Sequence, residues 1–356
     1  MMQRIASILI ALCIRSFIPV SLSAQTLTGV VFDRKNQEPV IGAHVYLDKS
    51  SWATVTNVEG RFEVKVNAFV YLPLVVSHVL YQTVTVSNPF TSLPDTIFVD
   101  EKENILDDVI VTTGRYSRKQ LLRAFHDEFL GNSSGARSCI IENEDKIDIW
   151  YNESTHILSA SCDEPVRIHN RFLGYRLYLT LSKFEVQYEF QQLGLGESII
   201  SIITSTWFED LAPTNRRIAN RRESVFKGSR IHFLRALSTN RLEEEKYWLS
   251  ISTLKRDTLT FADCFTVIDS LGTKKIIVHE RLEMDDKPTY AGRLYFGNLY
   301  VNRSSELSEF SSLLFYTNTF EVDALGYMSK HDILFSGYMG SLRIGDALPA
   351  DYKSPR

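Results

Sequence analysis

The chain has 356 residues, of which 44% are hydrophobic, 12% aromatic and 23% charged, a composition that excludes intrinsic disorder, collagen and low-complexity arrays. Its net charge of -4 offers no global basic field to nucleic acid, so no nucleic-acid partner is expected. One or two domains, each with its own core, suit this length. Met1 to Ala24 reads as a secretory signal peptide. Arg4 supplies the positive start, Ile5–Ile14 the apolar stretch, and Ser21-Leu22-Ser23-Ala24 the small residues before cleavage at Gln25. Arg15 and Pro19 interrupt the run against an uncleaved anchor, and Leu12 before Cys13 argues against lipid attachment. No later window carries about 18 uninterrupted apolar residues, so no transmembrane span is expected in the mature chain. The expected exported chain loses Arg4, Arg15 and Cys13, which takes its net charge to -6 and leaves Cys139, Cys162 and Cys264. An oxidising compartment permits one disulfide among them. Cys139–Cys162 is the pair favoured, because both lie in one run of short strands; the alternative is three small buried residues.

Residues 26 to 112 consist of short β-type runs: Leu27–Asp33, Ala43–Asp48, Thr54–Asn57, Arg61–Val66, Leu74–His78, Thr83–Ser87 and Thr96–Asp100. In Arg61–Val66 the apolar Phe62, Val64 and Val66 alternate with Arg61, Glu63 and Lys65, so one face is set for burial. Asn57-Val58-Glu59-Gly60 is a turn, with Gly60 free to take positive φ. Seven such runs without a helical period predict a seven-stranded antiparallel β-sandwich over 25–112.

The series Gly29-Val30-Val31-Phe32-Asp33, then Glu38-Pro39-Val40-Ile41-Gly42-Ala43-His44-Val45, then Thr54-Val55-Thr56-Asn57-Val58-Glu59-Gly60-Arg61-Phe62 resembles a carboxypeptidase-regulatory-like domain. That resemblance implies a transthyretin-like fold, common in envelope proteins of Gram-negative bacteria, and an accessory role without chemistry of its own. Leu106-Asp107-Asp108-Val109-Ile110-Val111-Thr112 is similar to the segment that follows this domain in TonB-dependent receptors, but the residues after it lack the many alternating segments of a transmembrane barrel.

The remainder, 113–356, predicts a larger β-rich domain with a few short helices. Ser117 caps a helix to Leu130, with Leu121, Leu122, Phe125 and Phe129 in an apolar stripe and Gly131 at its end. Tyr175 to Phe190 is the clearest strand. Tyr175, Leu177, Leu179 and Leu181 are apolar at odd positions, then Phe184, Val186, Tyr188 and Phe190 at even ones, so the phase slips once at Ser182-Lys183. Further strand-like runs are Ser198–Phe208, Tyr247–Ser252, Thr258–Val267, Lys275–Leu282 and Arg293–Tyr300. Residues 214–240 read as two short helices, and Gly337 to Leu348 as another. Leu173-Gly174-Tyr175, His232-Phe233-Leu234-Arg235-Ala236-Leu237 and Leu348-Pro349-Ala350-Asp351-Tyr352 are similar to a group of secreted proteins in which the same sandwich precedes a β-rich body; that group brings no activity with it.

A zinc-carboxypeptidase site needs His with Glu three residues on, and none of the eight histidines has it. Gly131-Asn132-Ser133-Ser134-Gly135 matches the G-x-S-x-G pattern, but a helix precedes it where a nucleophile elbow needs a strand. His156, Cys162 and His169 have no recognised ligand spacing. No metal or cofactor is expected. Between Arg216 and Arg241 lie eight basic residues and a single acid, Glu223. Of these, Arg216, Arg217, Arg221, Arg222, Arg230 and Arg235 are the candidate partner-binding residues, because the guanidinium fork suits carboxylates and phosphates. The alternative is internal pairing with Glu243, Glu244 and Glu245 while the stems cover apolar helix faces. The expectation is a non-enzymatic protein of the periplasm or outer membrane that binds an envelope protein or an acidic glycan or glycolipid, or serves a structural role there. The alternative is a polysaccharide hydrolase with a carboxylate pair in 113–356.

Overall fold

The computed structural model describes residues 25–355, apart from 68–69, 103–114, 191, 196–197, 253–257, 271, 285–288, 291–292, 304–308 and 329. The expected signal peptide and the Leu106–Thr112 segment lie outside the described residues. The architecture is mainly β. Buried apolar side chains fall into three clusters, one in the N-terminal sandwich and two in the remainder.

The sandwich contains β1 (Gln25–Asp33), β2 (His44–Leu47), β3 (Ala53–Val55), β4 (Arg61–Val66), β5 (Leu74–His78), β6 (Tyr81–Val86), α1 (Pro89–Ser92) and β7 (Thr96–Val99). Its two sheets run β4-β1-β7 and β3-β2-β5-β6. Phe62, Val64 and Val66 are buried while their neighbours in β4 are exposed, as the alternation requires. Gly60 takes φ 71°, and a Cβ there would meet the Val31 carbonyl oxygen at 2.5 Å, so no other residue fits the turn. One pairing departs from an all-antiparallel sandwich: β7 lies parallel to β1, because the chain crosses to the other sheet before returning.

The next layer is a long antiparallel meander. β8 (Cys139–Ile141) and β9 (Asp148–Asn152) form one row, β10 (Ile157–Ser161) and β11 (Val166–Asn170) a second, β12 (Tyr175–Tyr188) a third and β13 (Ser198–Asp210) the fourth. The register of β9 on β10 continues unchanged into β8 on β11, so each pair is one interrupted strand. β12 holds the expected phase slip, a register shift between Leu181 and Lys183 that keeps Tyr175, Leu177, Leu179, Leu181, Phe184, Val186 and Tyr188 on one buried face. The alternation stops there: Phe190 is beyond the strand and 49% exposed.

Helix α2 (Arg118–Phe129) covers that face, its start stabilised by Gln120 Oε1 accepting from the Ser117 N–H at 2.9 Å. Phe125 stacks on Phe129 with centroids 4.7 Å apart and meets Phe184 edge-on at 4.8 Å. Two helices follow as expected, α3 (Arg216–Phe226) and α4 (Arg230–Ser238). Phe233, Leu234 and Leu237 of α4 are buried in the last cluster, whereas Ile231 packs partly against the meander core. That last cluster also holds β14 (Trp248–Ser250), β15 (Phe265–Ser270), β16 (Thr273–Val278), β19 (Gly297–Asn302), β20 (Ser311–Phe315), β21 (Thr319–Asp323) and β22 (Ile333–Ser336), with two short strands, β17 (Thr289–Tyr290) and β18 (Arg293–Leu294), alongside. The run Thr258–Val267 is not one strand: Thr260 and Asp263 cap each other around a single helical turn, α5 (Phe261–Cys264), before β15 begins. The expected closing helix is reduced to α6 (Gly337–Ser341) and a 3-10 turn.

The sandwich docks on the outer face of the meander. Its 48–50 loop pairs with the free edge of β13: Lys49 N–H donates to the Thr206 carbonyl at 2.6 Å and Phe208 N–H to that of Ser50 at 2.9 Å. The buried Asp48 carboxylate accepts from Thr206 N–H at 2.8 Å, and burial raises its pKa. The C-terminal tail closes the junction, with Ala350 donating to the Lys49 carbonyl and the Asp351 carboxylate accepting from Ser51.

Cys139, Cys162 and Cys264, the three cysteines among the described residues, are free, against the Cys139–Cys162 pairing. Cys139 lies opposite Asn170, eight residues along the second row from Cys162, a separation of roughly 25 Å at strand rise and far beyond disulfide reach. Burial raises the Cys139 thiol to about 12, so it behaves as a small apolar side chain.

Replacing Phe125 by Ala should cost about 3–5 kcal/mol, because it leaves a cavity against Phe129 and Phe184. Urea unfolding of the variant should show the midpoint falling with the m-value unchanged.

Candidate binding site

The basic segment does not form one surface. Asn215 caps α3 by accepting from Arg217 and Ile218 N–H, which leaves Arg216 and Arg217 exposed in the first turn. Arg221 lies half-buried over the Phe172 ring at 4.7 Å. Arg222 is only 6% exposed. Its guanidinium holds Asp210 with two bonds of 2.7 and 2.8 Å, donates to the Leu173 and Gly174 carbonyls and stacks on Tyr175 at 3.8 Å. Arg235 donates to the carbonyls of Leu325, Ala350 and Tyr352. The guanidinium groups of Arg222 and Arg235 are therefore engaged inside the fold. They donate to backbone carbonyls of chain turns, of which that of Gly174 also accepts from Leu211 N–H. Arg230 opens α4, where desolvation and the neighbouring Arg343 lower its pKa. Lys227 pairs with Glu223 at 3.4 Å, and Arg241 with Glu244 at 2.7 Å and Glu245 at 3.3 Å. Internal pairing thus accounts for both.

What the fold does assemble is a cleft of about 1060 Å³ between the end of α3, α4, the β15–β16 turn and the C-terminal tail. Seven basic and five acidic side chains border it in a chain of net charge -4. Of the six candidate arginines only Arg235 lies on its wall; Lys227 and Arg241 join it. Sequence reasoning missed the rest, Lys246, Lys274, Arg303 and Lys353, because they come from four separate segments and none stands in a basic run. Lys274 is held by Asp269. Lys246 and Lys353 are exposed on the rim, and Arg303 Nε is buried with no hydrogen-bond partner among the described residues.

His232 anchors the wall. Its Nδ1 accepts from Gly228 N–H at 3.1 Å and from the Tyr247 hydroxyl at 2.8 Å, so the proton sits on Nε2 and is donated to Glu245 at 3.1 Å. Burial lowers its pKa despite Glu245, which keeps the ring neutral at pH 7. The carboxylates of the cleft are engaged: Glu223 accepts from Tyr352 and Ser354 hydroxyls, and buried Asp323 accepts from the Tyr71, Leu325 and Tyr327 amides. Elsewhere, Ser133 of the G-x-S-x-G segment accepts from Ala136 N–H inside a turn that follows α2 rather than a strand. His156 has positive φ beside the β9–β10 turn, while His169 sits in β11, and among the described residues no group of metal-ligating side chains forms.

The family model of the CarboxypepD_reg-like domain matches residues 27–111. The sandwich is a CarboxypepD_reg-like domain. No curated protein matches the chain. Among solved structures, a 9R-lipoxygenase from Cyanothece PCC8801 matches with 9% identity over 62% of this chain and 49% of that one. The chain spans about half that enzyme's length, and the TM-score of 0.17 carries no argument about fold or function. No helix among the described residues is long and apolar enough to cross a membrane.

Arg222→Ala should destabilise the fold by about 3 kcal/mol, the lower end for breaking a buried pair because Asp210 is a third exposed. Burial raises the Asp210 pKa, but the bonds from Arg222 and Ala212 outweigh it and the net shift is downward. Its contribution is therefore present above the usual carboxylate range and lost as pH falls below about 4. Arg216→Glu with Arg217→Glu should leave stability within about 0.5 kcal/mol. Thermal unfolding of both variants at pH 7 and pH 3 checks the contrast, which shrinks at the lower pH.

Proposed function

We propose that this chain is a non-catalytic binding protein of the bacterial envelope, exported through the segment ending at Ala24, in which the 113–356 region captures an acidic glycan or a glycolipid headgroup. The observation that carries the reading is the cleft: it gathers Lys246, Arg303 and Lys353 from distant segments, with two ammonium groups exposed and a guanidinium nitrogen buried without an acceptor. A buried donor of this kind is completed by an acceptor, and an anionic one completes it best. The CarboxypepD_reg-like sandwich supports an accessory, presenting role, since that domain carries no chemistry of its own. The hydrolase alternative has less support, because the cleft's carboxylates are held by ion pairs, hydroxyls or backbone amides rather than left in an apolar setting.

Purified protein should retain polygalacturonate and lipopolysaccharide at low salt, with Lys246→Glu/Lys353→Glu abolishing retention at unchanged thermal stability. Retention by the double variant equal to that of the parent would sink the reading, as would turnover of either glycan. N-terminal sequencing of protein recovered from the envelope fraction should begin at Gln25.

A further inference from the structure

A second concave site lies where the sandwich meets the meander, and its chemistry differs from that of the basic cleft. Its volume is about 230 Å³. Tyr178 and Trp207 are directly opposed on β12 and β13, and their rings stack with centroids 4.2 Å apart at 3°. His44 of β2 stacks against Trp207 at 5.6 Å. These three rings line one wall; Tyr178 is fixed there by its hydroxyl bond to Glu209, 3.2 Å away. Tyr46 is fully buried at the base, hydrogen-bonded to Ser205 Oγ at 2.9 Å. Beside it Thr180 Oγ1 is buried and faces the Tyr46 hydroxyl. At the rim Arg167 and Glu164 pair at 3.6 Å.

We propose that this interdomain cleft is a saccharide-binding site, which takes one pyranose ring of a neutral glycan against the Trp207–Tyr178 wall with a ring hydroxyl on Thr180. Three observations converge. A sugar ring has an apolar CH face and a polar rim, which matches a wall of aromatic carbon beside hydroxyl, guanidinium and carboxylate groups. The Thr180 hydroxyl is buried beside that of Tyr46, and once it has donated there it keeps acceptor capacity for a ring hydroxyl. Both the aromatic wall and the polar base draw residues from the sandwich and the meander together, so the site exists only when the two are docked. This assigns the CarboxypepD_reg-like sandwich a direct part in recognition, through His44 and Tyr46. Burial lowers the His44 pKa, and desolvation with the neighbouring His44 and Lys102 lowers that of His78, so both rings lining the cleft are neutral at pH 7 and suit an uncharged ligand.

The test is calorimetric titration of the full chain with cellohexaose, xylohexaose, mannohexaose and chitohexaose. At least one should bind, with the Trp207 indole N–H resonance shifting on saturation. Thr180→Val should weaken binding about tenfold, and Thr180→Ser, which keeps the hydroxyl, should retain it. Trp207→Ala should abolish it. Lys246→Glu/Lys353→Glu, which alters the basic cleft, should leave neutral-glycan affinity unchanged. No binding by any of the four oligosaccharides, full affinity in Thr180→Val, or loss of affinity in the lysine double variant would each overturn the proposal, whatever the outcome with polyanions.

Discussion

One extra residue in β12 governs the arrangement of everything around it. Between Leu181 and Lys183 the register against β13 slips by one, and the alternation of faces restarts. Without that slip Phe184, Val186 and Tyr188 would turn to the outer face, and α2 would lose the ring that Phe125 and Phe129 pack against. With it, the inner face is apolar along the whole strand. The outer face keeps Tyr178 and Thr180 in the place where the sandwich arrives.

The sandwich is attached by backbone as much as by side chains. Its 48–50 loop extends the open edge of β13, and buried Asp48 answers the Thr206 amide that the bend would otherwise leave unpaired. The C-terminal tail then ties the layers together. Leu348 belongs to the meander core, Ala350 to the sandwich core, and the carbonyls of Ala350 and Tyr352 receive Arg235 from α4. An arginine that looks like a surface charge in the sequence is a clasp at the meeting point of all three clusters.

The two clefts differ in the chemistry of their walls. The basic one collects cations from segments far apart in the chain and leaves Lys246 and Lys353 open to solvent. The interdomain one has stacked rings and the buried hydroxyls of Tyr46 and Thr180.

Local patterns were legible in the residues themselves. The alternation in β4 and β12, the phase slip, the glycine of the hairpin and the stripe of α2 all follow from periods of two or 3.6 residues, which any stretch of chain displays without reference to its neighbours. The seven strands of the sandwich and its family resemblance were readable for the same reason. Strands β20 to β22, the parallel placement of β7 and the separation of Cys139 from Cys162 were not, since each depends on which distant segment lies alongside. The arginines show the limit most clearly: spacing put eight basic residues in one run, but tertiary contacts turned Arg222 and Arg235 inward, paired Lys227 and Arg241, and built the cation-lined cleft largely from other residues. Sequence by itself determined the β-class, the N-terminal domain and the faces of its elements. Only the tertiary structure decided where charge and aromatic surface stand unpartnered, because a side chain's partners are set by contacts across the chain and not by its neighbours along it.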